Sequence, residues 1–333
     1  MSLTDRLKRP LQDLRISVTD RCNFRCNYCM PKEIFDRNYA FLQREQLLSF
    51  EEITRVAKAF INLGVRKIRL TGGEPLLRKN IERLIEMLAE LGAEIALTTN
   101  GSFPTHRVSS LKNAGLNRMT ISLDSLDDGV FRAMNDVDFP VQRVLDWIDA
   151  CEREKLAPVK INMVVRRGWN EVSVLPMMQY FKGSGHILRF VEFMDVGHTN
   201  GWKMDDVVRA QEIVEMIRRE APISPITPNY AGEVAKRWRF DDGTGEIGII
   251  ASVTQAFCRD CSRIRLSADG SLFTCLFATK GFDLRQRLRS NMSEEALEET
   301  IQNIWRKRTD RYSEIRSEKT VNLDKIEMSY IGG

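Results

Sequence analysis

Histidine is scarce in this chain: His106, His186 and His198 are the only three in 333 residues. A serine hydrolase relay needs an imidazole beside its nucleophile. Ser122 and Asp124 have no histidine near them in sequence, so that chemistry is set aside. An excess of one charge is also lacking. Fifty Lys and Arg against 46 Asp and Glu leave a formal +4, too little for a chain coated in nucleic acid. No apolar run approaches the ~20 residues that a spanning helix needs. The opening MSLTDRLKRP has no apolar core of a secretory signal. These absences predict a cytoplasmic chain whose thiols stay reduced unless a metal holds them. Repeats and low-complexity tracts are missing too. The 43% apolar and 29% charged shares are those of an ordinary globular protein.

Cysteine is present in a pattern. Seven is an odd number, in a chain too large to need disulfide staples. Six fall into two triplets, Cys22-x3-Cys26-x2-Cys29 with Tyr28 inside it, and Cys258-x2-Cys261-x13-Cys275. Cys151 stands alone in a helical stretch and reads as a small buried apolar residue. Structural zinc is closed by four ligands, and no histidine lies near either triplet, so zinc at the second would need the fold to deliver one. Iron–sulfur cubanes also normally take four thiolates. A cubane held by three leaves one iron open, as three protein ligands leave a catalytic zinc open to substrate. The count points to two metal centres, each with a vacant position for a small molecule. An amino acid's amine and carboxylate can chelate such an iron.

Leu14–Thr19 alternates and reads as a strand, with the first triplet in the polar loop after it. Ser49 and Glu52 have capping-box spacing, and a stripe from Phe50 to Ile61 ends at Gly64. Further strands are predicted at 65–71, 94–99, 117–123, 159–165 and 187–194, with helices between them. Six alternating βα units mean parallel strands with crossover helices. They are too few for a closed eight-stranded barrel, and periodicity does not decide between a six-stranded open barrel and a doubly wound sheet. After Gly201 the pattern changes to a helix, a proline-rich stretch, short strands with glycine turns and Arg- and Glu-rich helices. The chain is accordingly divided into 1–203 and a smaller 204–333 carrying the second triplet.

Active sites of parallel α/β folds lie at the C-terminal ends of the strands. Here those ends carry the first triplet, Thr71-Gly-Gly-Glu-Pro75, Thr98-Thr-Asn-Gly101, Ser122-Leu-Asp124 and Glu192-Phe-Met-Asp195. Gly72-Gly73 can be a tight turn or let backbone meet a ligand closely, and Glu74 can accept from an ammonium. Lys67 and Arg69 share one strand face, as do Arg263 and Arg265; Arg15, Lys160 and Arg189 also lie on predicted strands. Strands covered by helices should be apolar on both faces. Cations inside them call for an anionic partner, and a polyphosphate spanning the two parts of the chain would supply it. His198 reads as a loop residue, and the closing Gly332-Gly333 as a frayed tail.

The first triplet with Tyr28 resembles CxxxCxΦC, the signature of the radical S-adenosylmethionine (SAM) enzymes. Arg15–Asp20, Ile68–Pro75, Thr98–Gly101, Arg189–Met194, Phe257–Leu266 and Gly332-Gly333 resemble segments of the GTP 3′,8-cyclase family, which opens molybdenum cofactor biosynthesis. The likeness spans essentially the whole chain. It implies an incomplete (β/α)6 barrel with a C-terminal extension. Cys22, Cys26 and Cys29 would hold a 4Fe–4S cluster whose open iron chelates SAM. Cys258, Cys261 and Cys275 would hold a second 4Fe–4S cluster meeting the guanine of GTP. Tyr28, Gly73, Ser122 and Met194 match the family's SAM contacts. Arg15, Arg69, Thr98, Lys160, Arg263 and Arg265 match its GTP contacts, with Lys67 and Arg189 as neighbours. Gly332 and Gly333 would enter the active site. A 5′-deoxyadenosyl radical would abstract hydrogen from ribose C3′, and C3′ would attack C8 of guanine, giving (8S)-3′,8-cyclo-7,8-dihydroguanosine 5′-triphosphate. The resemblance further implies a homodimer, a low-potential electron donor and a downstream cyclic pyranopterin monophosphate synthase. Two departures, Asn135–Pro140 and Trp147, are expected to affect only local helix packing.

Two rival readings follow from the same cysteines. A peptide-modifying radical SAM enzyme would have a fourth ligand at its second cluster and lack the paired arginines. A zinc- or cluster-bearing binding protein would not cleave SAM.

Overall fold

Six strand–helix units follow one another as the alternation predicts, in a computed structural model that describes residues 3–230, 232–290, 292–316 and 323–333. Strands β1 (Asp13–Ser17), β2 (Lys67–Thr71), β3 (Glu94–Thr99), β4 (Arg118–Ser122), β5 (Lys160–Val165) and β6 (Ile187–Glu192) are parallel neighbours in chain order. Helices α1 (Phe50–Asn62), α2 (Ile81–Ala89), α3 (Arg107–Asn113), α4 (Asp128–Asn135), α5 (Val141–Arg153) and α6 (Val174–Phe181) connect them. A doubly wound sheet reverses its strand order at a switch point. This order does not reverse, so the sheet is an open partial barrel.

The capping box predicted at α1 is present: Ser49 Oγ accepts from Glu52 N–H at 3.1 Å and Glu52 accepts from Ser49 N–H at 2.7 Å. Gly64, at φ +107°, ends the turn that follows. The buried stripe of α1 is Ile53, Val56, Ala57, Ala59 and Phe60. It packs toward the helix-facing positions of β1 and β2, where Leu14, Ile16, Ile68 and Leu70 are fully buried. The alternate positions, Arg15, Lys67 and Arg69, face the concave side. Charged residues inside parallel strands are explained by this: one face meets the helices and the other a cavity.

The later residues do not form a separate sheet. After α7 (Ala210–Glu220) come β7 (Ile223–Ile226), β8 (Lys236–Phe240) and β9 (Glu246–Ile250). β9 runs parallel to β6, and β8 and β7 add antiparallel beyond it. On the other edge β10 (Arg263–Leu266) runs parallel to β1, followed by antiparallel β11 (Ser271–Phe273) and β12 (Phe282–Asp283). The described residues thus make one sheet of twelve strands, whose two ends come from the C-terminal part of the chain. Helices α8 (Arg285–Arg289), α9 (Glu294–Arg306), α10 (Tyr312–Ile315) and α11 (Met328–Ile331) follow. No helix among the described residues is long and apolar enough to cross a membrane.

Candidate active site

Register aligns the cations. Arg15 of β1 stands beside Arg265 of β10 on one side and Arg69 of β2 on the other. One step away, Asp13 lies between Arg263 and Lys67. Thr98 pairs with Thr120, Thr120 with Lys160, and Asn162 with Arg189. Adjacent strands are ~4.8 Å apart, so these side chains are crowded. Arg69 donates to Thr98 Oγ1 at 2.9 Å and Thr120 Oγ1 at 3.0 Å. The guanidinium Nε of Arg189 is buried without a hydrogen-bond partner. Burial and then Arg265, Arg263 and Arg69 push Arg15 well below its ordinary value. Burial, with neighbouring cations, lowers Arg265 to about 10, Arg189 to about 9 and Lys160 to about 7. So many like charges in one wall suit a polyanion, which would stabilise their charged forms.

The first triplet occupies the loop after β1. Arg25 ties that loop together, donating to the carbonyls of Phe35 at 2.6 Å, Cys22 at 2.8 Å and Phe24 at 2.8 Å. Tyr28 donates its hydroxyl to Asp124 at 2.8 Å, and Asp124 also accepts from Val164 N–H at 2.9 Å. Burial raises Asp124 to about 6 and Cys22 to about 12, and also lifts Cys26 and Cys29. Thiols buried in this way need a metal to become thiolates.

Several strand-end residues turn out to bind the loops to one another. A Cβ on Gly72 would lie 2.4 Å from Thr19 O, and one on Gly73 2.3 Å from Arg21 O. These glycines let the loop after β2 lie against the loop after β1. Glu74 is buried; it accepts from Leu76 N–H at 3.0 Å, Thr99 hydroxyl at 2.8 Å and Asn100 N–H at 2.8 Å, and burial raises it to about 7. It ties the loops together at the cavity wall, a role beyond that of the ammonium acceptor offered by the sequence. Glu192 likewise accepts from Ala210 N–H at 2.7 Å, Val253 N–H at 2.7 Å and Thr254 N–H at 2.9 Å. A correction concerns Asn135–Pro140. The Asn135 carbonyl accepts from Arg25 N–H at 2.9 Å, and Phe139 packs 5.3 Å from Phe24, so this stretch braces the first cysteine loop. Trp147 behaves as expected, fully buried inside the helix packing of α5.

The second triplet has a different setting. Arg9 and Arg308, both buried, donate to the carbonyls of Cys258 at 2.8 Å and Cys261 at 2.7 Å. Arg308 also lies 3.2 Å from the Cys261 sulfur, and Arg263 3.5 Å. Burial alone would raise the Cys261 thiol, but Arg263 and Arg308 outweigh it and bring it down to about 6. At Cys275 burial and then Asp310 outweigh the weaker pull of Arg308 and hold the thiol at about 12. Sequence reading missed Arg9 and Arg308. Arg308 closes Trp305-Arg-Lys-Arg308, which looks like a solvated basic run.

The chain's last residues are not a frayed tail. Arg265 donates to the Gly332 carbonyl, and Gly332, at φ +77°, packs so closely that a Cβ would lie 2.3 Å from Thr71 Cγ2. His198 is more than a loop residue, with Nδ1 3.0 Å from the Lys325 carbonyl and 3.1 Å from Glu327. It helps hold that segment in place.

Both triplets, Tyr28, Gly73, Ser122, Met194, the eight polar strand residues from Arg15 to Arg265 and Gly333 line one cavity of about 390 Å³. Gly332 is beside it, reached through Arg265. No histidine lines the cavity, and all six cysteines are free. Closed tetrahedral zinc takes four ligands, whereas each triplet brings three thiols to the wall, the donor set of a cubane with one open iron. Three thiols in each wall, with N–H donors on the sulfurs of Cys22 and Cys261, fit two such clusters.

Known proteins resemble the chain along its whole length. Residues 16–181 match the Radical SAM superfamily and 186–314 match Molybdenum Cofactor Synthesis C. A GTP 3′,8-cyclase of Acidothermus cellulolyticus is 52% identical, with 99% of each chain covered. One of Staphylococcus saprophyticus is 47% identical over the same shares. Among solved structures, Streptococcus suis SuiB bound to S-adenosylmethionine has a TM-score of 0.63 at 14% identity, covering 95% of this chain and 72% of its own. SuiB bound to precursor peptide SuiA has a TM-score of 0.60 at 16% identity, with 95% and 71% covered. Those two share the fold; the two cyclases share the sequence throughout. The chain therefore belongs to the GTP 3′,8-cyclase family of radical SAM enzymes.

Proposed function

We propose that this enzyme converts GTP to (8S)-3′,8-cyclo-7,8-dihydroguanosine 5′-triphosphate, the first step of molybdenum cofactor biosynthesis. The observation that carries the proposal is one cavity walled by two cysteine triplets with a row of guanidiniums between strands that the two parts of the chain share. Residues 1–203 form the radical-generating part and much of the triphosphate wall, and 204–333 complete the substrate site with the second triplet, Arg263, Arg265 and the Gly-Gly end. Cys22, Cys26 and Cys29 would hold a 4Fe–4S cluster, which when bound and reduced would supply the electron for cleaving SAM to methionine and the 5′-deoxyadenosyl radical. Tyr28, Gly73, Ser122 and Met194 orient SAM. Asp124 fixes the Tyr28 ring through its hydroxyl. Cys258, Cys261 and Cys275 would hold the second 4Fe–4S cluster, which would offer a position for the guanine.

Arg15, Lys67, Arg69, Lys160, Arg189, Arg263 and Arg265 take the triphosphate, and Thr98 aims Arg69. Guanidinium forks grip phosphate bidentately, so they fix the sugar as well as neutralise charge. Gly332 and Gly333 close the wall beside Thr71 and Arg265 and keep solvent from the ribose. The 5′-deoxyadenosyl radical takes the C3′ hydrogen, C3′ bonds to C8, and the base then takes up one electron from the low-potential donor and one proton, so the ribose must be held close to both SAM and its own base. A homodimer, a low-potential electron donor, a downstream cyclic pyranopterin monophosphate synthase and a cytoplasmic setting complete the proposal, with no nucleic-acid or membrane partner. Anaerobic reconstitution followed by SAM, dithionite and GTP should yield 5′-deoxyadenosine and the cyclised nucleotide. Absence of both from a fully loaded protein would overturn it.

A further inference from the structure

The Cys261 sulfur receives two guanidinium N–H groups, Arg308 Nη2 at 3.2 Å and Arg263 Nη2 at 3.5 Å. At the first triplet the sulfur of Cys22 meets only amides, Phe24 N–H at 3.5 Å and Asn100 Nδ2 at 3.9 Å. Arg308 is built into its place. Its side chain is 2% exposed. Its Nη1 donates to the Cys261 carbonyl at 2.7 Å and its Nε to Asp310 at 3.2 Å. The guanidinium plane lies over Trp305 at 4.6 Å, and Asp5 stands 3.9 Å away. Arg9 repeats the device one step back, holding the Cys258 carbonyl at 2.8 Å while pairing with Asp5 at 2.5 Å. Arg9, Arg263 and Arg308 are offset by Asp5, Asp13 and Asp310, so the two guanidinium N–H groups on the Cys261 sulfur, rather than an excess of charge, set this loop apart.

Hydrogen bonds to sulfur and nearby charge are among the levers by which a protein sets the reduction potential of an iron–sulfur cluster. An N–H pointed at a thiolate stabilises the electron-rich reduced cluster more than the oxidised one. It also withdraws density from the iron that the thiolate binds. We infer that Arg308 is a positioning residue for the second cluster: through Cys261 it raises that cluster's reduction potential and makes its open iron a stronger acceptor for a nitrogen or oxygen donor of the substrate. This rests on the second triplet holding a cluster, as proposed above. Arg263 is shared with the triphosphate wall. Arg308 is committed to Cys261, Asp310 and Trp305, so a change there reads the cluster.

The test is a reductive titration followed by electron paramagnetic resonance. It uses the full chain carrying Cys22→Ala, Cys26→Ala and Cys29→Ala, so that only the second cluster reports. Iron and sulfide per chain are measured first. Arg308→Gln keeps an N–H but loses the charge, and should lower the midpoint potential. Arg308→Lys keeps the charge without the planar fork, and should fall between Gln and the parent. Asp310→Asn removes the carboxylate that offsets Arg308, and should raise the midpoint. Loaded variants that all titrate with the parent overturn the inference, as does a fall in Asp310→Asn. Should both Arg308 variants lose their iron, the sign of the Asp310→Asn shift decides. A parent chain that never binds cluster iron at the second triplet would sink the two-cluster reading instead, so the two failures are distinguishable.

Discussion

Lys160 carries the sharpest consequence at the scale of one residue. Burial, then the charges of Arg189, Lys67 and Arg69, lower it from 10.5 to about 7. Between those two values the unfolded chain holds a proton that the folded chain has released, so the unliganded protein should gain stability as pH rises from about 7 toward 10.5. A triphosphate placed against Lys160 reverses the electrostatics and favours the ammonium. GTP binding at pH 8 should therefore take up a proton, and affinity should fall as pH rises above about 7. Titration calorimetry in two buffers of different ionisation enthalpy reads the uptake directly. Lys160→Arg should abolish it while keeping the charge. Lys160→Met should abolish it and weaken binding by roughly 10- to 150-fold, the worth of a charged hydrogen bond at ~1.5–3 kcal/mol. Zero uptake in the parent protein would refute the argument. The phase of these cations was readable in advance, because i and i+2 on a strand must share a face. Arg308 and Arg9 were not, because a buried arginine and a solvated one look alike until the surroundings are known. Cys151 was readable as a spare. It is fully buried on α5, and Cys151→Ala should cost about 1 kcal/mol in melting experiments and leave the iron content unchanged.

At the scale of elements, function depends on how loops at the strand ends lie against one another. The loop after β2 reaches the first cysteine loop through Gly73 N–H to Thr19 O at 2.9 Å and Glu74 N–H to Arg21 O at 2.8 Å. Gly73 has no room for a side chain there, since the Cβ would meet backbone, which cannot move aside as a flexible side chain can. Gly73→Ala should part the two loops and lower iron at the first triplet, while the far-ultraviolet circular dichroism and the second triplet's iron persist. Equal iron in mutant and parent would show that the loops tolerate the separation. The alternation of strands and helices revealed β1 to β6 and α1 to α6, because local period and capping fix them. It did not reveal that β9 joins β6 and β10 joins β1, since pairing between strands far apart in the chain, Leu188 with Ile247 and Leu14 with Ile264, leaves no periodic trace. Nor did it reveal that Glu74 and Glu192 tie neighbouring loops together.

At the scale of the molecule, the pairing of β10 with β1 brings the two triplets to one cavity although they lie at opposite ends of the chain. The supports of each are distinct. The first loop hangs on Arg25, Asp124, Glu74 and the end of α4. The second hangs on Arg9, Arg308 and Asp310, with Gln12 and Asp13 N–H groups bonded to Ser262 O at 3.1 and 3.2 Å. No side chain in the first set contacts a cysteine of the second, so loss at one site should not propagate to the other. Cys275→Ala should lose one cluster and all GTP cyclisation, but keep the other cluster and its cleavage of SAM to 5′-deoxyadenosine. Iron analysis, product chromatography and electron paramagnetic resonance on the same sample separate these outcomes. Loss of both clusters would mean that the shared wall of β1 and β10, rather than each loop's own braces, holds the sites in shape. The division into a radical source and a substrate holder would then fail together with it.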